Sequence, residues 1–380
     1  MGAEQIFLNV TIVLVIASII HFNAKFFKIP DLLLLIITGY VLGNIDYGIF
    51  PIIFPQEFVH LLALISIVFL VFTGSTEFNF KIIESHYLHI AKYVFALIFI
   101  SLIFFTPLLY FITGIPLKLS ILISLILTGV SPLVVDSLYL GVKNRVANLL
   151  ILETRIPSFD AIFAFIIYDL LFTKINIVQD VIIDNVKIFI TEIVIGLGTG
   201  VFIALITYKL LKIKRLMPAL VLLLSALTSF QMSEQLGGSG ILAIVSTSLL
   251  LGNMKIKNLK EHMQFLDFLT KIIRLLVGII IGTIIKIPMN ANFFISSIFL
   301  YLCFLAFRYF TVRIFLSNKL KTARERLGFS FGSGLGFSAV ILATLFIQSG
   351  VLGASLAVNY ITAFLFYSVI IASITAMFVK

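Results

Sequence analysis

Apolar residues fill this chain in long uninterrupted runs, and polar residues gather in the short intervals between them. A helix needs about 20 mostly apolar residues to cross ~30 Å of hydrocarbon. Runs of that kind lie at roughly 5–24, 29–44, 58–75, 88–113, 118–140, 147–172, 184–208, 216–232, 238–253, 264–285, 292–312, 327–348 and 353–379. The pattern predicts an all-α polytopic membrane protein with about thirteen transmembrane helices. The short alternating segments of a membrane β-barrel are not its pattern. The intervals are too short to fold as a soluble domain.

Composition agrees. Of 380 residues, 61% are hydrophobic and only 12% charged, against roughly 25% charged in soluble domains. Mean hydropathy is +1.19. The single cysteine, Cys303, excludes a disulfide framework and a cysteine-based metal site. The first residues, Met1 to Gln5, lack the basic start of a signal peptide, so the first run reads as a retained helix.

The net charge of +10 is a topological signal. Alternate intervals hold Lys25, Lys28, Lys81, Lys143, Arg145, Lys209, Lys212, Lys214, Arg215, Lys255, Lys257, Lys260, Arg313, Lys319, Lys321, Arg324, Arg326 and Lys380. The opposite intervals hold only Lys118, Lys174 and Lys286. Basic residues concentrate on the cytoplasmic side, which puts the N-terminus outside and the C-terminus in the cytoplasm. With the basic residues so explained, no nucleic-acid partner is expected.

Two halves of the chain repeat a pattern in opposite orientation. Leu42-Gly43-Asn44 closes the second run, which runs outward, and Leu251-Gly252-Asn253 closes the ninth, which runs inward. Three runs after each, the apolar stretch is interrupted. The fifth run contains Thr128-Gly129-Val130-Ser131-Pro132 and the twelfth Gly332-Ser333-Gly334-Leu335-Gly336. Pro132 removes a helix hydrogen bond, and glycines tolerate non-helical backbone. Matching interruptions in inverted halves are the sequence mark of a secondary-transporter site. Two broken helices crossing at mid-membrane bring helix ends together. The Thr128 and Ser131 hydroxyls and freed carbonyls there suit a dehydrated cation.

Charges inside membrane spans are functional candidates by default. They are Lys92, Asp136, Glu153, Arg155, Asp160, Asp169, Lys187, Glu192, Asp267, Lys271, Arg274 and Arg308. Lys92, Asp136, Lys187, Asp267 and Lys271 are placed to snorkel toward an interface. Asp160 lies about 13 residues into the sixth span, or ~20 Å at 1.5 Å per residue, near the bilayer middle. One carboxylate that binds either a proton or a metal ion, but not both, is the minimum device for exchange. The competing structural reading of Asp160 is an ion pair with Arg155 or Arg308. Enzyme readings find no support: there is no nucleophile elbow and no glycine-rich phosphate loop. His86 and His89 have i, i+3 spacing but no third ligand, so neither a cofactor nor a resident metal is expected.

These pieces together resemble the monovalent cation:proton antiporter superfamily, over essentially the whole chain. Ile29-Pro30-Asp31 through Asn44 resembles its second helix, and Phe69 through Glu77 its "FLLFLAGLE" segment. Gly238-Ser239-Gly240 through Asn253 is similar to its "GSGFLAAFVAGLLLGN" helix. Leu152 through Asp160 looks like its "LEGESLLND" signature, and Arg326 through Gly336 like the helix bearing "GLRG".

The resemblance implies a sodium/proton antiporter fold and a homodimer in a prokaryotic inner membrane. It implies core, ion-binding helices at roughly 58–172 and 264–348, moving like an elevator. Dimerisation helices would lie at roughly 5–44 and 184–253, with 353–379 as a further candidate. It carries ion binding onto Asp160, with Ser131 and Thr128 in the broken helix beside it, built around Pro132 and Gly334. Arg308 matches a basic residue of the eleventh helix. Three positions depart from the pattern. Phe159 stands where the family has Asn or Asp, Arg155 where it has an acid that pairs with the basic residue at Arg308, and Leu335 where "GLRG" has arginine. The usual ion pair cannot form, and Glu153 or Asp169 is left to replace it. The expected activity is electroneutral exchange of sodium for protons. Potassium exchange is an alternative. Phe159 and Arg155 leave open a channel or leak subunit, or a non-transporting sensor, on the same scaffold.

Overall fold

The computed structural model describes residues 3–27, 31–44, 52, 54–78, 85–139, 141–155, 163–164, 166–168, 182–213, 216–285, 288, 290–348 and 351–379. Every regular element among them is helical. In chain order they are α1 (Ala3–Phe27), α2 (Asp31–Asn44), α3 (Gln56–Thr76) and α4 (Ser85–Ile100), the last continued through a π-turn, Ser101–Phe105, into α5 (Thr106–Thr113). Then come α6 (Leu117–Thr128), α7 (Pro132–Tyr139), α8 (Arg145–Arg155), α9 (Ile182–Leu210), α10 (Pro218–Gln235), α11 (Gly240–Asn253) and α12 (Leu259–Ile284). The last four are α13 (Ala291–Phe315), α14 (Ala323–Phe331), α15 (Phe337–Gln348) and α16 (Ala354–Val379).

Six of the described helices are long and apolar enough to cross a bilayer, and shorter apolar helices accompany them. Their outward faces are greasy: Phe7 is 75% exposed and Phe111 81%. Such surface is stable against hydrocarbon, where helices satisfy their own backbone. Local signals set several ends. Gly114, at φ +69°, terminates α5, a backbone angle that side chains disfavour. Asn290 caps α13 by accepting from the Phe293 amide at 3.0 Å. Thr322 and Glu325 form a reciprocal capping box on α14. The fifth and twelfth runs, expected to be interrupted, are each two helices: α6 with α7, and α14 with α15.

The chain divides into two compact units. One comprises residues 1–63, 84–156 and 272–380, the other 64–83 and 157–271. In the first unit, Val13 and Ala17 of α1, Leu35 of α2, Phe54, Val59 of α3, and Leu276, Ile279 and Ile280 of α12 form one apolar cluster. Here α2 and α12 meet backbone to backbone. A Cβ on Gly39 would fall 2.1 Å from the Ile279 carbonyl oxygen, and one on Gly282 2.4 Å from that of Ile36. Small residues permit such approaches between membrane helices.

The second unit is held in the same way. A Cβ on Gly200 would lie 2.4 Å from the Ala243 carbonyl oxygen, and the Thr247 hydroxyl donates to the Gly200 carbonyl at 3.0 Å. The two Leu-Gly-Asn endings gain a physical reason. Gly43 in the first unit abuts Thr283, and Gly252 in the second abuts the Thr76 carbonyl, with 2.5 and 2.2 Å left for a Cβ. Asn253 then donates to the Phe78 carbonyl at 2.8 Å.

Candidate functional site

The site is assembled inside the first unit, where the two interrupted spans cross. Helix α6 stops at Thr128, Gly129 turns to an extended conformation, and Pro132 opens α7 because it needs no amide partner there. In the other span, α14 stops at Phe331 and α15 restarts at Phe337, with Gly332 to Gly336 between them. The amide of Ser131 donates to the carbonyl of Gly334 at 2.9 Å. A Cβ on Gly336 would sit 3.3 Å from that of Ser131, and one on Gly334 2.7 Å from a Val134 methyl. Glycine at these positions is what lets the two strands of backbone approach.

Thr128 and Ser131 are buried. The Thr128 hydroxyl donates to the Leu125 carbonyl at 2.7 Å, which leaves its oxygen lone pairs to accept or coordinate. The Ser131 oxygen accepts from the Val134 amide at 3.4 Å, a long contact that fixes the side chain weakly. The crossing thus gathers two hydroxyl oxygens and the ends of four half-helices, whose partial charges are of both signs. Thr128, Ser131 and the Gly332–Gly336 segment carry no formal charge.

A charged assembly stands in the same unit. One guanidinium nitrogen of Arg308, on α13, donates to both carboxylate oxygens of Glu153, on α8, at 2.9 Å each. Arg308 is 1% exposed and Glu153 5%. The Tyr93 and Phe329 rings stand 5.8 Å from the guanidinium carbon, and they also meet each other edge to face. Arg308 is therefore engaged by Glu153 among the described residues. Of the two substitutes open in the sequence, Glu153 takes the role. Asp169 lies outside the described residues, as do Phe159 and Asp160, and of Arg155 only the backbone, at the end of α8, is described.

Among the charges read as snorkelling, Lys92, Lys187 and Lys271 are exposed, as that reading requires. Asp136 departs from it: one of its carboxylate oxygens is closed off from the surface. Three polar contacts had no sequence signal strong enough to single out. Ser368 of α16 accepts from the Leu335 amide, inside the second break, at 2.9 Å. Asp31 accepts from or pairs with His21 at 2.7 Å and stands 3.9 Å from Arg274. Tyr93 braces Arg308. A serine or tyrosine in an apolar helix is ordinary, and only the partner distinguishes these. Among the described residues no group of three metal-ligating side chains forms.

Comparison with known proteins adds three findings. The family described as "Sodium/hydrogen exchanger, transmembrane" matches residues 11–379. The Na(+)/H(+) antiporter ApNhaP of Aphanothece halophytica is 26% identical over 295 residues, which cover 75% of this chain and 55% of that protein. The chain thus spans about half the length of that curated relative. The structure of the sodium proton antiporter MjNhaP1 from Methanocaldococcus jannaschii at pH 8 superposes with a TM-score of 0.77 at 19% identity, over 99% of each chain. That likeness establishes the fold.

Proposed function

Because this chain belongs to the transmembrane sodium/hydrogen exchanger family and is an integral membrane protein, we propose that it exchanges a monovalent cation, sodium foremost, for protons. The observation that carries this reading is the crossing of two broken spans through the Ser131–Gly334 hydrogen bond. A dehydrated cation needs several oxygen ligands in place of water. Thr128 and Ser131 offer two, and the sequence places Asp160 seven residues after Glu153 on the neighbouring span. The Asp160 carboxylate binds either sodium or a proton, so each traversal carries one or the other, and a single such acid per protomer gives one-for-one, electroneutral exchange. The Glu153–Arg308 pair is neutral as a unit and anchors α8, without competing for the ion.

In this reading residues 58–172 and 264–348 form the moving core of an elevator, and residues 5–44 and 184–253 hold a homodimer within lipid, with 353–379 a further candidate. The N-terminus faces out and the C-terminus the cytoplasm of a prokaryotic cell. Potassium is the competing cation.

The test is flux in proteoliposomes. A sodium gradient moves protons in wild type, and Asp160→Asn abolishes that movement. Asp160→Asn flux equal to wild type removes the assignment. Phe159 and Arg155 support a second reading, a channel or leak, which is distinguished by current that persists without a counter-ion.

A further inference from the structure

We propose that Ser368 is a positioning residue for the ion site: its hydroxyl holds the Gly334–Leu335 peptide group, and through that peptide the place of Ser131. This inference deepens the exchange reading and rests on it.

The crossing is held at a single peptide group. The Gly334 carbonyl accepts from the Ser131 amide at 2.9 Å, and the Leu335 amide of the same peptide donates to the Ser368 oxygen at 2.9 Å. Both polar ends are thus occupied, one from each side. The Gly334 carbonyl is oriented by Ser131, which takes one of its two lone pairs. The Ser368 hydroxyl is itself fixed, because it donates to the Leu365 carbonyl at 2.8 Å. Ser131, Leu335 and Ser368 are all buried, so no water competes for these bonds.

Helix α16 is a firm reference for such a strap. Ser296 and Ser297 of α13 bond the hydroxyls of Tyr360 and Tyr367 at 2.7 and 3.0 Å. At the far end, Asn144 donates to the Val379 carbonyl at 2.6 Å, and Arg324 to that of Phe378 at 3.0 Å. The break itself is the opposite. Gly334 supplies the carbonyl half of the peptide and Gly336 follows Leu335, and glycine permits many backbone angles. Without the Ser368 oxygen, a buried amide is left unmade, a costly state that peptide rotation relieves. Rotation carries the Gly334 carbonyl away from the Ser131 amide. The Ser131 side chain has only its 3.4 Å contact to Val134 to keep it in register.

The experiment uses the full chain in proteoliposomes, with sodium-driven proton flux measured for wild type, Ser368→Ala, Ser368→Cys and Ser368→Thr. Sodium-dependent thermal shift and amide exchange at Leu335 accompany it. Ser368→Ala is expected to raise the apparent KM for sodium about tenfold with kcat little changed, the effect of one misplaced polar ligand. The Leu335 amide should lose protection. Ser368→Thr, which keeps the hydroxyl, should restore both, and Ser368→Cys, which keeps the volume with a weaker acceptor, should fall between. An unchanged KM in Ser368→Ala with an unprotected Leu335 amide overturns the inference while leaving exchange intact. So does a fall in kcat alone that threonine does not rescue. Wild type without sodium-driven flux fails the exchange reading instead. In that case an equal sodium-induced shift, or none, in wild type and Ser368→Ala also overturns the positioning role, whereas a shift present in wild type and reduced in Ser368→Ala supports it.

Discussion

The crossing and the Glu153–Arg308 pair lie in the same compact unit and keep polar groups buried by opposite means. The pair uses full charges, two short bonds and two aromatic walls. The crossing uses neutral peptides and hydroxyls, with glycines where side chains would intrude. A buried ion pair is costly to break, because either partner alone is a stranded charge. A neutral peptide contact loses far less when it shifts. The difference assigns them different work: the pair is a fixed rivet of full charges, and the crossing is a neutral frame whose position depends on single hydrogen bonds.

Breaking the rivet should have the largest effect. Glu153→Leu strands Arg308 and should destabilise the protein by about 3–5 kcal/mol, read as a fall in melting temperature in detergent. Adding Arg308→Met should recover most of that loss, since an apolar pair of similar volume removes the stranded charge. A double variant no more stable than the single one would show that the pair is not a closed unit.

The crossing should respond next. In Gly332→Ala the new methyl would meet the Gly328 carbonyl oxygen at 2.5 Å and the Tyr139 hydroxyl at 2.6 Å. A cost of about 1–3 kcal/mol is expected, as for other overpacked sites. Gly336→Ala meets Ser131 only at 3.3 Å, so it should alter sodium affinity more than melting temperature. Equal behaviour of the two variants would erase the distinction between scaffold and site.

The smallest effect is expected at the loop end of the second broken span. Thr322→Ala removes the cap of α14 and should cost about 1 kcal/mol in thermal unfolding. The Thr322 amide, bonded to Glu325 at 3.0 Å, holds the Glu325 carboxyl below its ordinary range near 4.5. A carboxyl lowered on folding stabilises above its unfolded value and loses that contribution as pH falls through the lowered one. Glu325→Gln should therefore lower stability slightly at neutral pH, leave it nearly unchanged at low pH, and so flatten the acid limb of the profile.

The breaks were legible because their causes are local. Pro132 lacks an amide, and Gly332, Gly334 and Gly336 lack a Cβ, wherever the chain goes. The runs of apolar residues were legible for the same reason, although six long helices among the described residues do not fix the total. The partner of Arg308 was not legible, since Glu153 and Asp169 were equally available in sequence and 155 residues separate the bonded pair. Ser368 gave even less signal. Its bond to Leu335 spans 33 residues, and its bond to Leu365 is one that any helical serine makes. Asp31, His21 and Arg274 meet only because α1, α2 and α12 pack together.

The backbone contact of Gly39 with Ile279 and of Gly282 with Ile36 has a mechanical consequence. Side chains between two rods act as springs that tilt and yield. Rods in bare contact have no such cushion. The stretch of α2 around Gly39 and the stretch of α12 around Gly282 therefore keep a separation set by backbone alone, and any relative movement of the two runs along that smooth face rather than across it.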